Sequence, residues 1–135
     1  MTDAVVWIDA RETEFINCQL VAQFGGLAGG VRDRGLLDAA MARPLNQWAY
    51  ADPAPDVFDL AAAYCFAICK SHAFCDGNKR SAHAVAAVFL ENNGYRHQPP
   101  QSEVVASMLA LAEDQLAEPG LAAWFRETSR ALEDR

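Results

Sequence analysis

The chain has 135 residues, 52% of them hydrophobic and 21% charged, and carries a formal net charge of -7. That length suits one domain over residues 1–135 with a single core, and the acidic balance excludes a surface built to neutralise nucleic-acid phosphates. No apolar run reaches the roughly 18 to 20 residues of a membrane span. The opening MTDAVVWIDA is acidic where a secretory leader is basic, so a cytoplasmic location is expected.

VVWI reads as a short strand or an extended arm. From Arg11 to Phe24, apolar Phe15, Ile16, Leu20, Val21 and Phe24 recur at three- and four-residue spacing, the mark of an amphipathic helix. GGLAGG stops it and continues as a loop. Asp33 is placed to cap a second helix, which is predicted to end before Pro44. The segment PLNQWAYADPAPD, with three prolines, reads as a long loop or flap; its Trp48 and Tyr50 either line that flap or are stray loop aromatics.

Asp56 opens VFDLAAAYCFAICKS and Asn78 opens KRSAHAVAAVFLENN, which Gly94 stops. Both are apolar around most of their circumference, as central helices of a bundle are. HQPPQ is a turn, Ser102 is placed to cap a helix running towards Glu118, and Leu121 to Leu132 forms a last helix. The fold class is all-α, a bundle of six or seven helices around a central apolar pair. Cys18, Cys65, Cys69 and Cys75 read as reduced thiols, since a chain of this size needs no staples.

SHAFCDGNKRSAH, residues 71–83, sets a cluster of charges between the two most apolar helices. The first N–H groups of the second helix have no intrahelical partner and carry partial positive charge. Gly77 permits close backbone approach and Asn78 can cap. Lys79 and Arg80 stand in the first turn, where positive charge disfavours the helix unless an anion such as a phosphate sits beside it. Asp76 can hold a Mg2+ that escorts the phosphate. His72 can take a proton from an attacking hydroxyl near neutral pH. These are the parts of phosphoryl or nucleotidyl transfer; the plainer alternative is a solvated loop with a capping Asn.

Cys65, Cys69, His72 and Cys75 follow C-x3-C-x2-H-x2-C, a weak zinc or thiol-redox alternative because zinc ligands usually come from separate loops. Arg32 and Asp33 read as turn-fixing residues. His83, one helical turn past Lys79, either faces the site or is a satisfied core histidine. His97 reads as exposed.

HAFCDGNKR resembles the Fic/Doc signature His-x-Phe-x-Asp/Glu-Gly/Ala-Asn-Gly/Lys-Arg. FGGLAGGVRDRGLLDAAMARP, FLENNGY and LAAWF are similar to flanking segments of its death-on-curing (Doc) branch, so the likeness spans residues 12–126. It implies a Fic/Doc-like bundle with His72 as base, Asp76 as catalytic residue and metal ligand, Phe74 as core anchor, and Gly77, Asn78, Lys79, Arg80 and Lys70 at the nucleotide phosphates. Mg2+ and ATP, or another nucleoside triphosphate, are the implied cofactor and co-substrate.

Fic adenylyltransferases have Gly where Lys79 stands and a further Arg where His83 stands. The Doc form implies an inverted nucleotide and transfer of its γ-phosphate. The resemblance therefore implies a toxin of a type II toxin–antitoxin system that acts like a kinase on elongation factor Tu. The alternatives are adenylyl transfer and a non-catalytic antitoxin-binding module.

Asn17 sits where many relatives carry a His. The tail SRALED fits a self-inhibitory Ser-x-x-x-Glu pattern at Ser129 and Glu133 but not at its end. Inhibition in trans by a Phd-like antitoxin is therefore expected, its C-terminal segment folding into an apolar groove between the first two helices and the central pair.

Overall fold

The computed structural model describes residues 4–26 and 28–132. Six helices and one two-stranded sheet are formed among these residues. In chain order they are α1 (Ala10–Phe24), α2 (Arg34–Tyr50), α3 (Val57–Ser71), α4 (Asn78–Asn92), β1 (Tyr95–His97), α5 (Gln101–Ala112), α6 (Glu118–Glu127) and β2 (Ser129–Ala131). The all-α expectation holds.

The reason lies in α3, where nine of 15 residues are buried, among them Leu60, Ala61, Ala62, Tyr64, Cys65 and Ile68. A helix apolar all round must be covered all round, and α2, α4, α5 and α6 all pack on it. Its alanines let those neighbours come close. Asp9, Asp33 and Asp56 cap α1, α2 and α3 with their side chains, each contributing about 1 kcal/mol. Asp56 caps α3 where the sequence puts it, whereas α4 begins at Asn78 with Gly77 in the cap position, so Asn78 is its first residue and not its cap.

VVWI is an extended arm and not a strand. The Asn93 carboxamide stands in for a neighbouring strand: its Oδ1 accepts from Val6 N at 2.9 Å and its Nδ2 donates to Val6 O at 2.9 Å. The Tyr64 hydroxyl anchors the same arm on both polar groups of Ile8.

Other boundaries depart from expectation. Helix α2 does not end before Pro44 but runs through it to Tyr50. Leu37, Ala40, Met41 and Pro44 form one buried stripe along the helix, and packing of that stripe outweighs the one hydrogen bond a proline forfeits. Trp48 and Tyr50 therefore lie on a helix and not in a flap. Ser102 is not a cap: Pro100 holds that position and α5 begins at Gln101. The last helix ends at Glu127, where the Thr128 hydroxyl donates to Trp124 O at 2.6 Å. The chain then turns into β2, antiparallel to β1 with His97 opposite Ser129. That pairing buries His97, read as exposed, to 7%. Glu133, the second residue of the tail pattern, lies outside the described residues.

Candidate active site

The loop between α3 and α4 carries the charged motif, and three devices shape it. First, α3 ends on His72 in a left-handed conformation, φ 52 and ψ 39, while its side chain stays exposed. Second, the segment after α1 runs antiparallel to the loop through a bridge between Val31 and Phe74. Arg32 N and Asp33 N donate to Ala73 O at 2.7 and 3.1 Å, and Cys75 N donates to Gly30 O at 3.0 Å. Phe74 points the other way, 1% exposed in the core. Third, the Asn78 side chain folds back on Phe74, accepting from its N at 3.1 Å and donating to its O at 3.2 Å. Asn78 thus shapes the loop; its carboxamide is already engaged there.

One buried residue ties these parts together. Asn17, 0% exposed, donates to Asp76 O at 2.8 Å and to Ser81 Oγ at 2.9 Å, and accepts from Gly30 N at 2.8 Å. One carboxamide therefore joins α1, the glycine loop, the motif and α4, using most of its hydrogen-bonding capacity. Gly77 beside it has φ 72, and a Cβ there would press on Val21 and Asn17. A Cβ on Gly26 would lie 2.8 Å from Asp76 Oδ2, so a glycine is what lets the backbone approach that carboxylate oxygen this closely. The other, Oδ1, accepts from Gly77 N at 2.8 Å.

The cations divide. Lys79 and Arg80 are exposed in the first turn of α4, whose N-cap, Gly77, supplies no side-chain acceptor. The Arg80 guanidinium rests over the Phe24 ring, 4.5 Å from its centroid. Lys70 pairs with Asp114 and lines a groove of about 760 Å³ between α2 and α3, along with Leu36, Arg43, Tyr50 and Phe66. His72, Asp76 and Gly77 therefore lie on the loop between α3 and α4, with Lys79 and Arg80 in the first turn of α4, while the Lys70 ammonium lies at that groove.

Cys65 and Cys69 are buried free thiols. Burial raises the pKa of both, well above the ordinary thiol value for Cys65. No three His, Cys, Asp or Glu side chains among the described residues are grouped to hold a metal ion, and Cys75, unlike Cys65 and Cys69, is exposed.

His83 is half-buried, its Nε2 3.0 Å from His97 Nε2, with Trp124 and Phe125 around both rings. Thr128 spends its hydroxyl proton on Trp124 O, so it accepts from His97 Nδ1 at 3.0 Å. His97 is then a lone-pair acceptor at Nε2, and His83 Nε2–H donates to it. Burial lowers the pKa of His83 to about 4; burial and the neighbouring His83 do the same for His97, also to about 4.

A helical bundle with a His, an Asp and two cations on and beside the loop between two central helices has a counterpart among known proteins. The chain belongs to the Fic/DOC family, whose model matches residues 7–90. It is 44% identical over 86 residues to Toxin Doc of Mycolicibacterium smegmatis (strain ATCC 700084 / mc(2)155), covering 61% of this chain and 66% of that protein. It is 36% identical over 74 residues to Protein kinase doc of Escherichia phage P1, covering 55% of this chain and 57% of that protein. The matched length is thus under two thirds of each relative.

Reading the sequence alone missed the work of Asn17, Gly26 and Phe24. Arg32, read there as fixing a turn, does so by reaching the His72 carbonyl 40 positions away. No helix among the described residues is long and apolar enough to cross a membrane.

Proposed function

We propose that the chain is a Doc-type toxin that transfers the γ-phosphoryl group of ATP, or another nucleoside triphosphate, to a hydroxyl of a translation factor like elongation factor Tu. The observation that carries this reading is the exposed His72 held on one short loop with Asp76, Lys79 and Arg80 at an N-terminus without a side-chain cap. The printed name of the phage relative, Protein kinase doc, supports phosphoryl transfer.

The residues fit a nucleotide and Mg2+. Asp76 offers hard carboxylate oxygen on the motif loop, suited to a cation that prefers one or two carboxylates plus phosphate oxygens. When bound, Mg2+ would neutralise charge on the phosphates. The first-turn amides of α4 and the side chains of Lys79 and Arg80 bind and orient those phosphates. His72 accepts the proton of the target hydroxyl as its oxygen bonds to the γ-phosphorus. The bond to the bridging oxygen breaks, and a nucleoside diphosphate leaves.

The same reading seats the C-terminal segment of a Phd-like antitoxin in the α2–α3 groove. Its exposed Leu36 and Tyr50 beside Arg43 and Lys70 suit an amphipathic helix with acidic flanks.

The test uses purified chain, elongation factor Tu and ATP labelled at the γ- or, separately, the α-position. Label on the target from the γ-position, lost in His72→Ala, is the expected result. Transfer from the α-position alone would replace the reading with adenylyl transfer, and no transfer would leave a binding module. Adding the antitoxin should stop labelling of the parent chain and spare a Leu36→Glu chain; equal inhibition of both would move the antitoxin elsewhere.

A further inference from the structure

We propose that Arg32 is a positioning residue, which holds the backbone of His72 so that its imidazole leaves the loop in one direction. The proposal rests on the reading of His72 as the base. Arg32 Nε and Nη2 both donate to the His72 carbonyl oxygen, at 3.0 and 2.5 Å, across 40 positions of sequence. Among the described residues Arg32 makes no ion pair, so its charge serves no carboxylate there. Its fork is spent on one carbonyl.

That carbonyl belongs to a residue under constraint. Histidine at φ 52 sits in the left-handed region, which costs a side chain with a Cβ roughly 1 to 2 kcal/mol. The carbonyl also lies at the negative end of α3, where a cation is favourable. The same segment holds the next peptide through Arg32 N and Asp33 N on Ala73 O. Helix α3 holds the His72 backbone on one side and the Arg32 fork holds its carbonyl on the other, so the ψ angle of His72 is fixed, and with it the direction of the Cα–Cβ bond. A planar guanidinium supplies two donors in set geometry; a lysine ammonium is a point charge that cannot reproduce the fork.

An arginine that only stiffened the loop would be replaceable at little cost to chemistry. A positioning residue affects turnover and leaves nucleotide binding alone, because misplacing a reacting group by an ångström costs up to about 100-fold.

The experiment compares the parent chain with Arg32→Ala and Arg32→Lys in γ-phosphoryl transfer, and follows the ring resonances of the three histidines in histidine-labelled protein. Arg32→Ala is expected to lower kcat about 10- to 100-fold with nucleotide KM changed less than about twofold. Arg32→Lys should fall between, and added guanidinium should partly restore Arg32→Ala. The His72 ring resonances should shift or broaden in Arg32→Ala while those of His83 and His97 stay in place, which also shows that the variant folds.

An unchanged kcat with unmoved His72 resonances would overturn the proposal. So would movement of all three histidines together, which marks general loosening. If the parent chain transfers no phosphoryl group, the functional reading fails alone, and the His72 resonances still decide the role of Arg32.

Discussion

His72 and the His83–His97 pair use the same side chain in opposite settings. His72 is exposed, and everything that fixes it acts on its backbone: a left-handed turn, a bridge to residues 30–33 and the Arg32 fork. His83 and His97 are fixed through their rings, by each other, by Thr128 and by aromatic walls. The first arrangement leaves the imidazole nitrogens open to a reactant. The second uses them up. What a histidine can do is therefore set by which of its atoms the fold has already engaged.

The largest break in this comparison comes from Asn17→Ala. It removes the partner of Gly30 N, Asp76 O and Ser81 Oγ from a buried site, and unmet buried groups cost about 1 to 3 kcal/mol each before relaxation. A loss of about 2 to 3 kcal/mol in chemical denaturation is expected. Hydrogen exchange at Gly30 and Cys75 should quicken more than at the core of α3. Uniform quickening would mean that Asn17 supports the whole fold and not the loop.

Acid separates the two settings next. His83 and His97 titrate near 4 in the folded chain against about 6.5 when unfolded. Below pH 6.5 the unfolded state binds more protons, so stability is full above that value and falls as the pH drops towards 4. The pair is expected to cost on the order of 3 kcal/mol between pH 6.5 and 5, and the loss should vanish in a His83→Leu, His97→Phe double variant. A slope that survives in the double variant would place the acid-sensitive groups elsewhere.

The smallest effect sharpens the exposed side. Phe24→Ala removes the ring beneath Arg80, a contact worth about 0.5 to 1 kcal/mol at a surface. Nucleotide KM should rise about two- to fivefold with kcat unchanged. A fall in kcat alone would make Phe24 part of the transfer step.

The same contrast explains what is legible in the sequence. Asp56, Gly77 and Asn78 act within a few positions of themselves, so local chemistry alone marks the start of α3, the turn and the start of α4. The motif's candidate side chains fall within nine residues, so the amino-acid order by itself groups them. Asn17 and Arg32 act across 40 to 64 positions, and no local pattern encodes such partners. Pro44 misleads because burial outweighs a local rule. His97 misleads because a three-residue strand leaves no period to detect.

The bridge between Val31 and Phe74 bears on how this chain can be engineered. A nine-residue signature invites grafting: copy the letters between two helices of another scaffold and expect the chemistry to follow. In this chain the loop is one side of a two-sided object, and its other side, residues 17–33, lies outside the signature. A transplant limited to HAFCDGNKR would carry every reactive group and none of the backbone partners that aim the first of them. The smallest movable unit is the pair of segments, 17–33 with 72–81.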